Sequence, residues 1–332
     1  MATWDAHLLS CLFFTVHGLW WIILSVWYHL QLQQDSNRIA KKCISCTRSS
    51  HTVQYKVIRT GCLKSWLPVP LFPSIPLESV LKIFAGSIGI FGEAFLRIVM
   101  ESPKRLEWYA FKIFDSNGDF VRVDKFQHIT MYCGFVLSGV VDLLILFVRL
   151  PHATSPLFFS LAFLCQGVLF WFHTGHGVLN GTYHKLQIMI IISCVVFSYL
   201  RTHHSKTFLV NIGLGCSILL QGTWFFQASF LVFHDGENVW KLHMTESLSE
   251  KLQHMVPMYL GTVFTWHLMA VATTALIIWS IMYCAVNGNC RIRKWKSQED
   301  TLPNECTEKL IVNGSLSDEN DGVKEVKLDE EP

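Results

Sequence analysis

Residues 208–233 read FLVNIGLGCSILLQGTWFFQASFLVF. The stretch carries no Lys, Arg, Asp or Glu and is as long as the roughly 17 to 25 residues a helix needs to cross the hydrocarbon of a bilayer. Working outward from it, six more windows have the same character: His7 to Leu30, Leu77 to Met100, Phe126 to Arg149, Leu157 to Gly177, His184 to Leu200 and Val256 to Val286. The 332-residue chain is 51% hydrophobic and 16% charged, with positive mean hydropathy. That composition belongs to a polytopic membrane protein. Lipid offers no partner to an open backbone, so every window is predicted to be a helix. The expected fold is therefore all-α, a seven-helix transmembrane bundle. The first window lacks the basic lead of a signal peptide, having Asp5 instead, and its Trp20, Trp21, Trp27 and Tyr28 are bulky where cleavage wants small residues. It is expected to stay as a membrane anchor.

Basic residues orient the bundle. Arg38, Lys41, Lys42, Arg48, Lys56, Arg59 and Lys64 lie between the first two windows against a single Asp35, and Arg291, Arg293, Lys294 and Lys296 follow the last. Lys and Arg collect on cytosolic loops, which puts the N-terminus outside and the C-terminus in the cytosol. Arg201 and Lys206, assigned to another inner loop, agree. The expected organisation is a membrane domain over residues 1–290, with a basic, cysteine-bearing cytosolic loop at 31–76, and a basic strip with an acidic tail over 291–332.

After Ser297 the acidic residues Glu299, Asp300, Glu305, Glu308, Asp318, Glu319, Asp321, Glu325, Asp329, Glu330 and Glu331 crowd a stretch with no aromatic residue. Such a composition is expected to be disordered. The net charge of +2 is the sum of a basic body and an acidic tail, and gives no reason to expect nucleic acid. The expected partners are the lipid bilayer, through the basic strip, and cytosolic proteins, through the tail.

Several motifs fall short of a function. Cys43-x-x-Cys46 in the first loop, with His51 and Cys62, lacks the second close pair of a zinc site. Surface thiols, or a palmitoylated one such as Cys62, are the expectation. Asp115, Asn117 and Asp119 imitate a calcium loop, but Phe120 stands at its glycine and Phe126 at its glutamate, so an Asx-rich turn is predicted. Asn180-Gly181-Thr182 is a glycosylation sequon on an outer loop too short to present it. Gly86, Gly89 and Gly92 form a small face suited to close helix packing.

The ionisable residues inside the windows carry the remaining signal. Glu93 lies in the outer half of the second window, and His128 enters the third. His173 and His176 lie near the outer end of the fourth, and His267 sits about mid-membrane in the seventh. His7 and His184 open the first and fifth. His173 and His176 share one helical face. Charged and titratable groups at depth usually face the bundle interior and mark function. Three readings stay open: hydrogen bonds between helices, with Arg97 as an ion partner for Glu93; a zinc, iron or haem site built on His128, His173, His267 and Glu93, with His7, His176 and His184 as further candidates; or a proton or substrate path.

Phe126-Gln127-His128-Ile129-Thr130-Met131-Tyr132, followed by Ser138-Gly139-Val140-Val141-Asp142, resembles the third span of the transmembrane protein 45 family, which includes the transmembrane epididymal proteins. Phe170-Trp171-Phe172-His173, Leu220-Gln221-Gly222-Thr223-Trp224-Phe225-Phe226-Gln227 and Trp266-His267 are similar to further segments of that family. The resemblance covers roughly residues 1 to 290, apart from the first loop. It implies a seven-span protein of unknown biochemical function, with some members on Golgi, endosomal or related membranes. Two function classes follow: a trafficking or scaffolding membrane protein, or a metal- or haem-dependent enzyme acting on a lipid, with Glu93 or Asp142 managing protons.

Overall fold

A computed structural model describes residues 4–46, 76–96, 114, 116–121, 123–151, 153–172, 178–233 and 250–287. Within these, side chains are described except at 4–7, 35, 37–46, 95–96, 230–233 and 250–253. The acidic tail and most of the first loop lie outside the described residues. Among the described residues seven α-helices follow one another: α1 (Trp4–Cys46), α2 (Leu77–Phe91), α3 (Val123–Phe147), α4 (Thr154–Phe172), α5 (Val178–His204), α6 (Phe208–Phe233) and α7 (Glu250–Asn287). A five-residue π-helical turn, Gly92–Leu96, continues α2. Among the described residues there is no strand.

Six of these helices, all but α2, are long and apolar enough to cross a membrane by length and composition. The segment from α2 through the π-turn occupies most of the expected second span. It is shorter, with 15 residues in α2 itself, and length is what separates it from the other six. One expected boundary moves. The apolar part of α1 covers Leu8–Gln34, but the helix runs unbroken to Cys46. What read as the start of a loop at Gln31 is the continuation of α1, and Cys43 and Cys46 stand one turn apart on it. Arg201 also moves, from an inner loop into the last turn of α5. The Asx-rich turn is found: Gly118 has φ 85°, a region a side chain rarely enters, and lets Phe120 pair back with Phe114.

Glycines set how close the helices come. At Gly222 a Cβ would stand 2.4 Å from the Thr15 backbone nitrogen, and at Gly18 one would stand 2.4 Å from that of Leu219. α1 and α6 therefore meet backbone to backbone at a reciprocal pair, as small residues allow in lipid. Gly86 and Gly89 of α2 instead make room for side chains of α3, those of Val136 and Tyr132. Gly92 instead opens the π-turn. The core gathers where α1, α4, α5 and α6 meet, around Trp21, Phe163, Ile191, Leu214 and Trp224. Tyr183 and Trp224 stack at 5.2 Å. α7 is the least enclosed helix and touches the rest through Leu260, Phe264 and Val271.

Candidate functional site: a polar cavity and a buried ion cluster

Adjacent helices run antiparallel, so each end of the bundle collects alternate termini. The upper end is where α1 begins, and the lower end is where α2 begins. Polar side chains concentrate at both.

At the upper end the π-turn carries Glu93. A π-turn shifts the residues it holds off the α-helical register and is frequent at functional positions. Here it brings Glu93 Oε1 to 3.0 Å from His128 Nδ1 on α3. An ionised carboxylate only accepts, so Nδ1 donates. On α5, His184 Nδ1 lies 2.8 Å from the Asn180 carbonyl and likewise donates. The two imidazoles line one cavity and interact electrostatically. Tyr132, whose hydroxyl is 3.3 Å from that of Ser10, adds a phenol to the wall. Gln166 adds an amide, 3% exposed, whose Oε1 has no hydrogen-bond partner. The remaining wall is largely aromatic: Phe13, Phe14, Phe135, Phe170 and Phe225. The cavity holds about 60 Å³ of space for the centres of water-sized spheres. One water needs roughly 10 to 15 Å³ by that measure, so the space takes a few waters or the polar head of a larger molecule.

Two of the four metal candidates, Glu93 and His128, come together. His267 does not join them; its ring stands edge-on to Trp224 at 5.6 Å. His173 and His176 lie outside the described residues, as does the side chain of His7. Among the described residues no group of three or more His, Cys, Asp or Glu side chains stands where one ion could be held. Glu93 is spent on the Nδ1 side of His128. That is the place of a group that orients an imidazole, opposite the nitrogen that would bind a ligand. His184, expected only as a further candidate, lies closer to this geometry than His267.

At the lower end, spacing alone did not reveal what assembles. Lys82, 1% exposed, places Nζ 2.7 Å from Glu78 Oε1 and 2.9 Å from Asp142 Oδ2. Ser155 on α4 donates to the other Asp142 oxygen, and the ammonium lies 3.8 Å from the centre of the Phe159 ring. His17 of α1 sits 3.9 Å from Glu78 Oε1 and accepts a hydrogen bond from Trp21 Nε1 at 3.1 Å. That bond needs a neutral ring, since a protonated imidazole has no acceptor. Arg201 lies over Trp21 at 4.2 Å, donates to Asn211 at 3.0 Å, and feels the charges of Glu78 and Asp142. The cluster thus sets two carboxylates against two cations, each cation on an aromatic face. Six helices contribute. The visible signal was the Glu78–Lys82 spacing of four residues; nothing in the sequence tied it to Asp142.

Residues 152–280, from the start of α4 into α7, match the model of a family of unknown function, DUF716. The matched segment contains Gln166, His184, the Gln221-Gly222-Thr223-Trp224 stretch and His267. It leaves out α1, α2 and α3, and with them Ser10, Glu93, His128 and Tyr132.

Proposed function

We propose that this chain is a seven-span membrane protein of the transmembrane protein 45 type, N-terminus outside and C-terminus cytosolic, that binds a small ligand in the cavity at its upper end. α2 with its π-turn is the seventh span. At about 1.5 Å per residue its twenty residues reach roughly 30 Å, the thickness of a hydrocarbon core. On this orientation the cavity lies in the outer half of the membrane. Ligand occupancy would be passed to cytosolic partners of the acidic tail, in trafficking or scaffolding at Golgi, endosomal or plasma membranes.

The observation that carries the reading is Gln166. A buried acceptor left without a donor costs about 1 to 3 kcal/mol, and here it belongs to a residue that lines a cavity. A binding site explains why such an atom is kept. Its test is Gln166→Leu in the full-length protein in detergent. A site residue held at the expense of stability predicts a thermal midpoint raised by a few degrees. A lowered midpoint would mean that the amide is structural, and the reading would fail.

The matched Nδ1 hydrogen bonds of His128 and His184 favour a second reading. Glu93 supports one ring and the Asn180 carbonyl the other, as supporting groups do for metal-binding imidazoles. On this reading Glu93 orients His128. The two rings, with His173 or His176, would hold zinc or iron in a membrane enzyme acting on a lipid.

A further inference from the structure

We infer that protons cross this bundle, carried by water held in a layer of partnerless polar groups between the upper cavity and the lower ion cluster. The inference goes beyond ligand binding and does not depend on it.

The layer is a matter of register. Phe14 of α1, Phe135 of α3, Phe170 of α4 and Phe225 of α6 line the cavity. Their rings are contiguous: Phe14 lies 5.7 Å from Phe135 and 5.8 Å from Phe225, and Phe170 lies 6.0 Å from Phe225. Tyr183 of α5 continues them through its stack on Trp224. Three or four residues nearer the lower end, on the same face of each helix, stand His17, Ser138, Gln166, Gln187 and Gln221. All five are 0 to 3% exposed. Each holds a buried side-chain atom with no hydrogen-bond partner: His17 Nδ1, Ser138 Oγ, Gln166 Oε1, both amide atoms of Gln187, and Gln221 Nε2. Buried polar groups are as a rule paired, and here the exceptions on five helices fall in one layer.

The chemistry of the layer selects its occupant. His17 Nε2 accepts from Trp21, so Nδ1 carries the hydrogen and donates. Gln166 Oε1 accepts, Gln221 Nε2 donates, and Gln187 and Ser138 do both. A cation would find only the acceptors, and an anion only the donors. Water serves both kinds, and a buried water makes about three bonds to such groups.

The layer also has two ends. Gln166 is part of the cavity wall. Below, His17 lies 3.9 Å from Glu78 Oε1, and Ser138 precedes Asp142 by one helical turn. Both oxygens of Asp142 are taken, by Lys82 and Ser155, whereas Glu78 Oε2 is buried and partnerless. Glu78 is therefore the group that receives the proton. Facing it are Lys82 on its own helix, His17 of α1, Asp142 of α3 and Arg201 of α5. At each step an O–H bond forms on the receiving oxygen as one breaks on the donating water, so only hydrogen moves and no redox partner is needed. At Glu78 the carboxylate becomes the acid, and Lys82 keeps Asp142 as its anion until the proton passes on. Ionisable groups kept at depth in a bundle commonly serve such relays.

The test uses full-length protein in liposomes that enclose a pH-sensitive dye, with a potassium gradient and valinomycin to set the potential. Wild-type vesicles should acidify faster than protein-free ones. Gln187→Leu touches neither the cavity wall nor the ion cluster. It should slow the proton flux about three- to tenfold, the value of one hydrogen bond to the water, with the thermal midpoint in detergent unchanged or raised. Gln221→Leu takes its place if that variant does not fold. Glu78→Gln, which cannot take up the proton, should slow the flux at least as much. Wild-type flux no greater than that of protein-free vesicles overturns the inference. So does undiminished flux in the folded glutamine variant or in Glu78→Gln.

Discussion

Lys82 Nζ stands 2.9 Å from Asp142 Oδ2, tying α2 to α3 at the lower end while Glu93 and His128 tie the same two helices at the upper end. α2 hangs on α3 by these two polar clasps and the glycine face between them. Its contact with α1 is slight, so the clasps have more to do here than a typical ion pair in a bundle.

Breaking the lower clasp should therefore be severe, and breaking it symmetrically less so. Lys82→Met alone leaves two carboxylates buried near one remaining cation, and is expected to destabilise by about 3 to 5 kcal/mol. Lys82→Met combined with Asp142→Leu should recover a large part of that loss, because it leaves one carboxylate, Glu78, to one cation, Arg201, instead of two to one. Thermal unfolding in detergent reads both. Equal losses for the single and double variants would show that the two residues are not energetically coupled.

The backbone contact of α1 with α6 predicts a contrast among glycines. Gly222→Ala forces a methyl against the Thr15 backbone and should cost about 1 to 3 kcal/mol or prevent folding. Gly261→Ala on α7 meets nothing within 4 Å. It should be neutral or raise stability by up to about 1 kcal/mol through helix propensity. If the two variants unfold alike, the close approach is not what the helices depend on.

The metal reading has its own measurement. Elemental analysis and an absorption spectrum of purified wild-type protein should be compared with His128→Ala, His184→Ala and His173→Ala. One metal per chain, lost in all three variants but only weakened in Glu93→Gln, would establish imidazole ligands with Glu93 as their orienter. Metal-free wild-type protein would leave the Glu93–His128 pair as a hydrogen-bonded clasp.

Topology is open to a direct check. An epitope after Ser297 should become accessible only when cells are permeabilised, and removing the tail there should leave the detergent-solubilised fold unchanged. Exposure of that epitope on intact cells would invert the proposed orientation and move the cavity to the cytosolic leaflet.

Hydropathy was enough to place the helices, because a charge-free run such as Phe208–Phe233 has few other uses. The small face of Gly86 and Gly89 was legible for the same reason: spacing along one helix is a local property. The site was legible only in part. Glu93 and His128 stood out as ionisable residues at depth, but their pairing depends on a π-turn that no residue pattern announced. Glu78 and Lys82 drew no reading of their own, and only the fold brings Asp142, distant in sequence, to meet them. Gln166 and Tyr132 carry no charge and gave no signal. His267 was placed by depth alone, and depth says nothing about which way a side chain faces.

The length of α1 has a mechanical side. The helix continues from Gln34 to Cys46, a projection of roughly 18 Å at 1.5 Å per residue. An unbroken helix transmits twist along its axis, and this one has no slack where Gly18 meets Leu219. The projecting end is a handle on the bundle: a protein or lipid that turned it would also turn Ser10 and Phe13, one face of the cavity, against helices that stay still.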